Sequence, residues 1–192
     1  MSENIVFGGY NFIGEYTRIF AKAKFGLGTT IGSFNWMEVE VEIGNYTQLG
    51  PKVNIISPNH FMSSITLYNS NFLFDGRMKS ITKQGKVVIG NNCWIGVGVN
   101  IIGNVKIGDG VVIGAGALIN KDIPDNSVVV GNPFRIIKKK MDTELFNALQ
   151  LSQWWKNTPE QLMDFEGIFL MNTTDIADVN KILYFLKTNK YL

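Results

Sequence analysis

One histidine and one cysteine stand in a chain of 192 residues, and each can do chemistry that few other side chains can. An imidazole titrates near neutral pH, so His60 is suited to take a proton from a hydroxyl as a general base. It cannot by itself build the three-histidine site of a zinc hydrase, which excludes that chemistry and leaves no metal expected. A lone cysteine excludes an intramolecular disulfide and leaves Cys93 either a nucleophile or an inert buried thiol. Arg135, Lys138, Lys139 and Lys140 form a short basic run. Such a run either meets phosphates or only faces solvent.

These residues need a scaffold, and a period of six supplies it. Phe7, Ile13, Ile19, Phe25, Ile31, Met37, Ile43, Leu49 and Ile55 are each six apart, and Ile89, Ile95, Ile101, Ile107, Ile113 and Ile119 repeat the pattern. Glycine follows most rungs, and a small or β-branched residue lies four places on, as at Thr29, Thr47, Cys93 and Val99. Six matches neither a helix nor an alternating strand; it matches a short strand and a corner, repeated. The large residue points inward, and the glycine after it is expected to let the chain bend. Three sides close a coil of about eighteen residues, and coils stack as parallel strands about 4.8 Å apart. Cys93 holds an inward small-residue position, which makes it a core thiol.

The phase breaks between Ile55 and Ile89, so residues 57–86 must leave the tube as an excursion, with His60 at its root. Phe61, Met62, Leu67, Tyr68, Phe72 and Phe74 are too apolar for water and should pack on a neighbour. After Gly131 the pattern turns helical. Asp142 is placed to cap one helix, Thr158-Pro159-Glu160-Gln161 opens another, and Thr174 is expected to cap a third with Ile176, Val179, Leu183 and Leu186 on one face. The expected organisation is an all-β main domain over residues 1–135, a parallel β-helix with a protruding loop, and a helical extension over 136–192.

The hexads resemble the hexapeptide-repeat transferase family, whose helix is left-handed. Asn59-His60, Met62 and Thr66-Leu67-Tyr68 resemble its xenobiotic acetyltransferase branch, which includes streptogramin and chloramphenicol acetyltransferases. Trp154-Trp155 resembles a pair in that branch's C-terminal helices. The resemblance runs from about residue 7 to 165. It implies acetyl-coenzyme A as co-substrate, His60 as catalytic base, and Asn59, Met62 and Tyr68 beside a hydroxylated acceptor. It also implies a homotrimer with sites between subunits. The coenzyme would lie along Trp94, Gly96, Ala115, Ala117, Lys121, Asn132 and Pro133, with Arg135 and Lys138 near its phosphates and an outward Trp94 beside the thioester. Ser63 and Asn69 replace an acidic residue and a proline common in the branch. Both changes favour a sugar hydroxyl over an antibiotic as acceptor. An antibiotic-inactivating enzyme and a non-catalytic scaffold are the alternatives.

A net charge of +2 gives no argument for nucleic acid or membrane-surface binding. No apolar run of membrane-spanning length occurs, and the first residues lack a signal-peptide pattern, so the cytoplasm is expected. Repeats beginning at residue 7 leave no expected room for a preceding nucleotidyltransferase domain. Replacing His60 by alanine should lower turnover by about 10²–10⁴-fold. Coenzyme affinity should change little; free-thiol release and calorimetry measure the two. Near-native turnover in a folded His60→Ala protein would remove the base.

Overall fold

The computed structural model describes residues 4–57, 63, 65–68, 70–77 and 85–188. His60, Asn59 and Met62 lie outside the described residues. The chain winds a triangular tube, as the hexads predict. The first coil is β1 (Ile5–Phe7), β2 (Phe12–Ile13) and β3 (Arg18–Ile19); the second is β4 (Ala23–Phe25), β5 (Thr30–Ile31) and β6 (Trp36–Met37). Then come β7 (Glu40–Ile43), β8 (Gln48–Leu49) and β9 (Asn54–Ile56), and after the excursion β10 (Lys86–Ile89), β11 (Trp94–Ile95) and β12 (Asn100–Ile102). The fifth coil is β13 (Val105–Ile107), β14 (Val112–Ile113) and β15 (Leu118–Ile119), followed by β16 (Ser127–Val130) and β17 (Arg135–Lys139).

Three sheets form the faces. Face A is β1-β4-β7-β10-β13, face B runs from β2 through β5, β8, β11, β14 and β16 to β17, and face C is β3-β6-β9-β12-β15. Pairing is parallel throughout except for β17, which returns antiparallel along β16. Phe25 pairs with Ile43 eighteen positions on, whereas Ile43 pairs with Ile89, so the excursion inserts 28 residues into one coil. The last coil is two residues short, since Ile107 bridges Ile123 and Val112 pairs with Val128. Ile123 and Val129 therefore continue the buried rungs beyond Ile119, where the six-residue spacing hides them. Rungs from Phe25 to Ile119 are buried, whereas Phe7, in the first described coil, is 44% exposed.

The bend does not lie at the glycine after each rung. Positive φ falls three places after the rung instead, at Tyr10, Gly28, Tyr46, Asn92 and Gly110 on the edge between faces A and B. Tyr16, Phe34, Lys52, Gly98 and Gly116 do the same between B and C. The glycine after the rung has another task. A Cβ on Gly44 would sit 2.6 Å from the Gly90 carbonyl carbon and 2.7 Å from the Asn91 nitrogen, so coils stack there backbone on backbone. Side-chain columns finish the stack. The Asn91, Asp109 and Asp125 Oδ1 atoms accept the amides of Asn45, Asn91 and Asp109, each one coil away, at 2.6–2.8 Å.

The extension holds helices at Thr143–Ser152, Pro159–Leu162, Glu166–Phe169 and Ile176–Thr188. Asp142 caps the first, accepting the amides of Glu144 and Leu145, which hold its carboxyl below the usual range. Thr158 and Gln161 form the expected capping box. Asp175, not Thr174, caps the last helix by accepting the Ala177 and Asp178 amides. Ile176 is then in its exposed first turn rather than on the packed face of Ile182 and Leu183. The extension fastens to the A/B edge: Asn45 Nδ2 donates to the Trp155 carbonyl at 2.9 Å, and the Tyr46 hydroxyl to the Asn157 carbonyl at 2.7 Å. None of the described helices is long and apolar enough to cross a membrane.

Gly44→Ala should cost about 1–3 kcal/mol, because the added methyl meets backbone. Gly98→Asn should cost about 1 kcal/mol or less, since space is open there and asparagine tolerates left-handed backbone. Urea unfolding at fixed protein concentration checks the order.

Candidate functional site

Face B carries Trp94 outward between Gln48 and Val112 of the neighbouring coils. Its indole is 58% exposed. Alternation along β11 produces this, because burying Ile95 in the tube turns Trp94 to solvent. On one flank lies the B/C edge. Tyr16, Phe34 and Lys52 occupy its corners in the first three coils, and Gly98 and Gly116 occupy them in the next two. A Cβ at Gly98 or Gly116 would meet nothing within 4 Å, so these two corners are open backbone, with the exposed Val97 and Ala115 beside them.

The other flank is the helical extension. Tyr46, Gln48, Trp94, Lys140, Trp154 and Phe169 surround a groove of about 510 Å³. Behind Trp154 a second cavity of about 230 Å³ shares Asn92, Lys140, Trp154 and Phe169 with it. Tyr46 and Trp154 meet at a tilt of 37° with ring centroids 5.3 Å apart, and Phe169 meets Trp154 edge-on at 5.0 Å. Both contacts pack that wall together.

The sequence-predicted residues do not all converge here. Ala115 is exposed next to Gly116 on the B/C edge. Gly96 is buried between coils, where a Cβ would lie 2.6 Å from the Ala115 nitrogen, so it spaces coils rather than lining a surface. Ala117 is fully buried inside the tube, which removes it as a ligand contact. Lys121 is exposed after β15, on the turn from face C to face A, the edge opposite face B. Asn132 and Pro133 are exposed in the turn between β16 and β17, joined by a cis peptide. Arg135, Lys138 and Lys139 are exposed along β17, whereas Lys140 is half-buried at the groove. Tyr68 is exposed on the excursion, and its amide donates to Thr66 Oγ1 at 3.1 Å.

Sequence reasoning missed Gly98, Gly116 and the aromatic wall. The glycines were legible in principle: they fall three places after a rung, where earlier coils carry Tyr16, Phe34 and Lys52. The wall was not, because Tyr46, Trp154 and Phe169 come from segments with no shared spacing.

Cys93 is buried in the column of Thr29 and Thr47. Those hydroxyls donate to glycine carbonyls of the next coil, and the Cys93 thiol does the same to Gly108 at 3.1 Å. Burial pushes the thiol up to about 12, which rules it out as a nucleophile near neutral pH.

Residues 86–121 match the family described as bacterial transferase hexapeptide (six repeats). Over 130 residues the chain is 33% identical to a probable macrolide acetyltransferase of Lysinibacillus sphaericus, covering 64% of this chain and 72% of that one. The chain belongs to the bacterial hexapeptide-repeat transferases. Another relative of this hexapeptide-repeat chain is a galactoside O-acetyltransferase of Lactococcus lactis subsp. lactis, 36% identical over 107 residues. That match covers 56% of this chain and 47% of the relative, so the chain spans about half the relative's length. Among solved structures, a mutant N-acyltransferase from Bacillus cereus in complex with dTDP and coenzyme A superposes with a TM-score of 0.60 at 20% identity. It covers 88% of this chain and 86% of that one, a likeness of fold.

The Cys93 environment gives a pH signature. Burial holds its folded pKa above that of an ordinary thiol, so the unfolded chain loses the proton first. Stability from this group is fully present below about pH 9 and is lost as pH rises toward 12. Cys93→Thr should keep the column's hydrogen bond and flatten that alkaline decline in melting temperature. An unchanged decline would mean that other groups cause it.

Proposed function

We propose that this hexapeptide-repeat transferase moves an acetyl group from acetyl-coenzyme A to a hydroxyl, as a cytoplasmic trimer with its sites between subunits. One observation carries the reading. The exposed Trp94 stands beside an edge whose corners are Gly98 and Gly116, flanked by the exposed Val97 and Ala115, and such a track admits a narrow extended arm close to the backbone. The coenzyme found in the Bacillus cereus fold relative and the acetyltransferase names of the two sequence relatives support the choice of donor. The O-acetyl name of the Lactococcus lactis relative supports the hydroxyl.

Topology supports two chains per site. The excursion leaves after β9 on face C and returns at β10 on face A, so its root is the edge opposite face B. Ile65 and Phe72 stand almost wholly in solvent on it, and Leu67, Tyr68 and Phe74 are more than half exposed. A neighbouring copy covers such a surface, and cyclic closure satisfies every copy of that heterologous contact. His60, at the root of the excursion, then serves the Trp94 face of the next chain.

His60 takes the acceptor's hydroxyl proton as the oxygen attacks the thioester carbonyl. A backbone N–H steadies the oxyanion, and the imidazolium returns the proton to the departing sulfur. Asn59, Met62 and Tyr68 hold the acceptor, and Arg135 and Lys138 meet the coenzyme's phosphates near the surface. A sugar acceptor fits the aromatic groove and the galactoside relative; the macrolide relative keeps antibiotic inactivation as the second reading.

A panel of sugars, macrolides and amines, assayed by thiol release from acetyl-coenzyme A, tests the proposal. Release should require a hydroxylated acceptor, and the active species should have a trimer's mass. Release with amines alone, or an active monomer, would contradict it.

A further inference from the structure

Lys140 stands apart from the basic run that precedes it. Its amide donates to the Asn126 carbonyl at 2.8 Å just past the end of β17, and its side chain lines both cavities beneath the helical extension. Arg135, Lys138 and Lys139 are exposed, Lys139 donating to Thr143 Oγ1, while Lys140 is half-buried among Trp154, Phe169 and Cys93. Among the described residues the ion pairs engage Lys86, Lys181 and Lys187, and none engages Lys140. Asp109, which also lies on the A/B edge, is taken by the Asn91 amides and by Gln150 Nε2. Burial disfavours the charged form of Lys140. A half-buried cation facing a groove without a carboxylate is a site for an anion brought by a ligand.

The rest of the lining defines that ligand. Trp94 and Phe169 offer exposed apolar rings, with the buried Trp154 behind them, which suit the C–H face of a sugar ring, and Gln48 and Asn92 offer amides to its hydroxyls. The groove has one cation and no arginine, which matches a singly charged carboxylate better than a phosphate. We infer that this groove is the acceptor subsite and that it takes a hydroxylated sugar ring bearing a carboxylate, paired with Lys140. The inference rests on the acetyl-transfer reading above, because the groove shares Trp94 with the thioester position.

The test uses the full chain as wild type, Lys140→Met and Lys140→Arg, with galactose and galacturonic acid as probes. Thiol release gives kcat/KM for each probe, and quenching of tryptophan fluorescence without acetyl-coenzyme A gives binding independent of turnover. Wild type should prefer galacturonic acid by about tenfold or more, Lys140→Arg should keep most of that preference, and Lys140→Met should erase it. Removing an unpaired, half-buried charge should raise the melting temperature of Lys140→Met, so a folding failure is not expected. Equal use and equal binding of both probes by wild type, or a preference that survives Lys140→Met, would overturn the inference. If no acceptor releases thiol, the acetyl-transfer reading fails, and fluorescence alone decides the groove. Selective quenching by galacturonic acid that Lys140→Met abolishes would support it, and unselective quenching would overturn it.

Discussion

The structure depends on how closely one coil lies on the next. At the residue after most rungs the backbones of successive coils pass at a distance that leaves no room for a Cβ, as at Gly44 over Gly90. This contact allows parallel strands of only two to four residues to hold together in long sheets. Each strand is too short to be stable alone, and the stack supplies the cooperativity. The inward columns follow from the same spacing. Thr29, Thr47 and Cys93 each reach the carbonyl one coil away because every coil repeats the same path.

Flat faces and sharp edges are the functional product of that stack. A triangular tube separates what sits on one edge from what sits on the opposite face, and it does so without flexibility. The excursion grows from the C/A edge, while Trp94, the bare glycine corners and the aromatic wall belong to face B and its flanks. The apolar surface of the excursion and the exposed indole are both left unfinished by a single chain. In the proposed trimer each completes the other.

The coil was legible because period six is a direct imprint of its geometry on the sequence. Rungs from Phe25 to Ile119 are buried as the spacing requires, and Trp94 faces outward because Ile95 faces inward. The reason for the glycines was misread: composition marks Gly44 as special but does not distinguish a bend from a close approach. Gly96 and Ala117 were misplaced for a related cause, since a small residue reads alike whether it faces a ligand or a neighbouring coil. Ile123 and Val129 were hidden by a two-residue shortening that breaks the period and keeps the stack. The groove beneath the extension was invisible, because its walls are joined by tertiary contacts such as Tyr46 on Trp154.

The central claim is that one chain supplies the base and the next supplies the Trp94 face. Co-assembly of His60→Ala chains with Trp94→Ala chains tests it most directly, once each variant alone is shown to be impaired. In a random equal mixture half of the chains supply the histidine and half of their neighbours supply the indole, so about a quarter of wild-type turnover should return. A mixture no more active than the two variants measured separately would contradict the account.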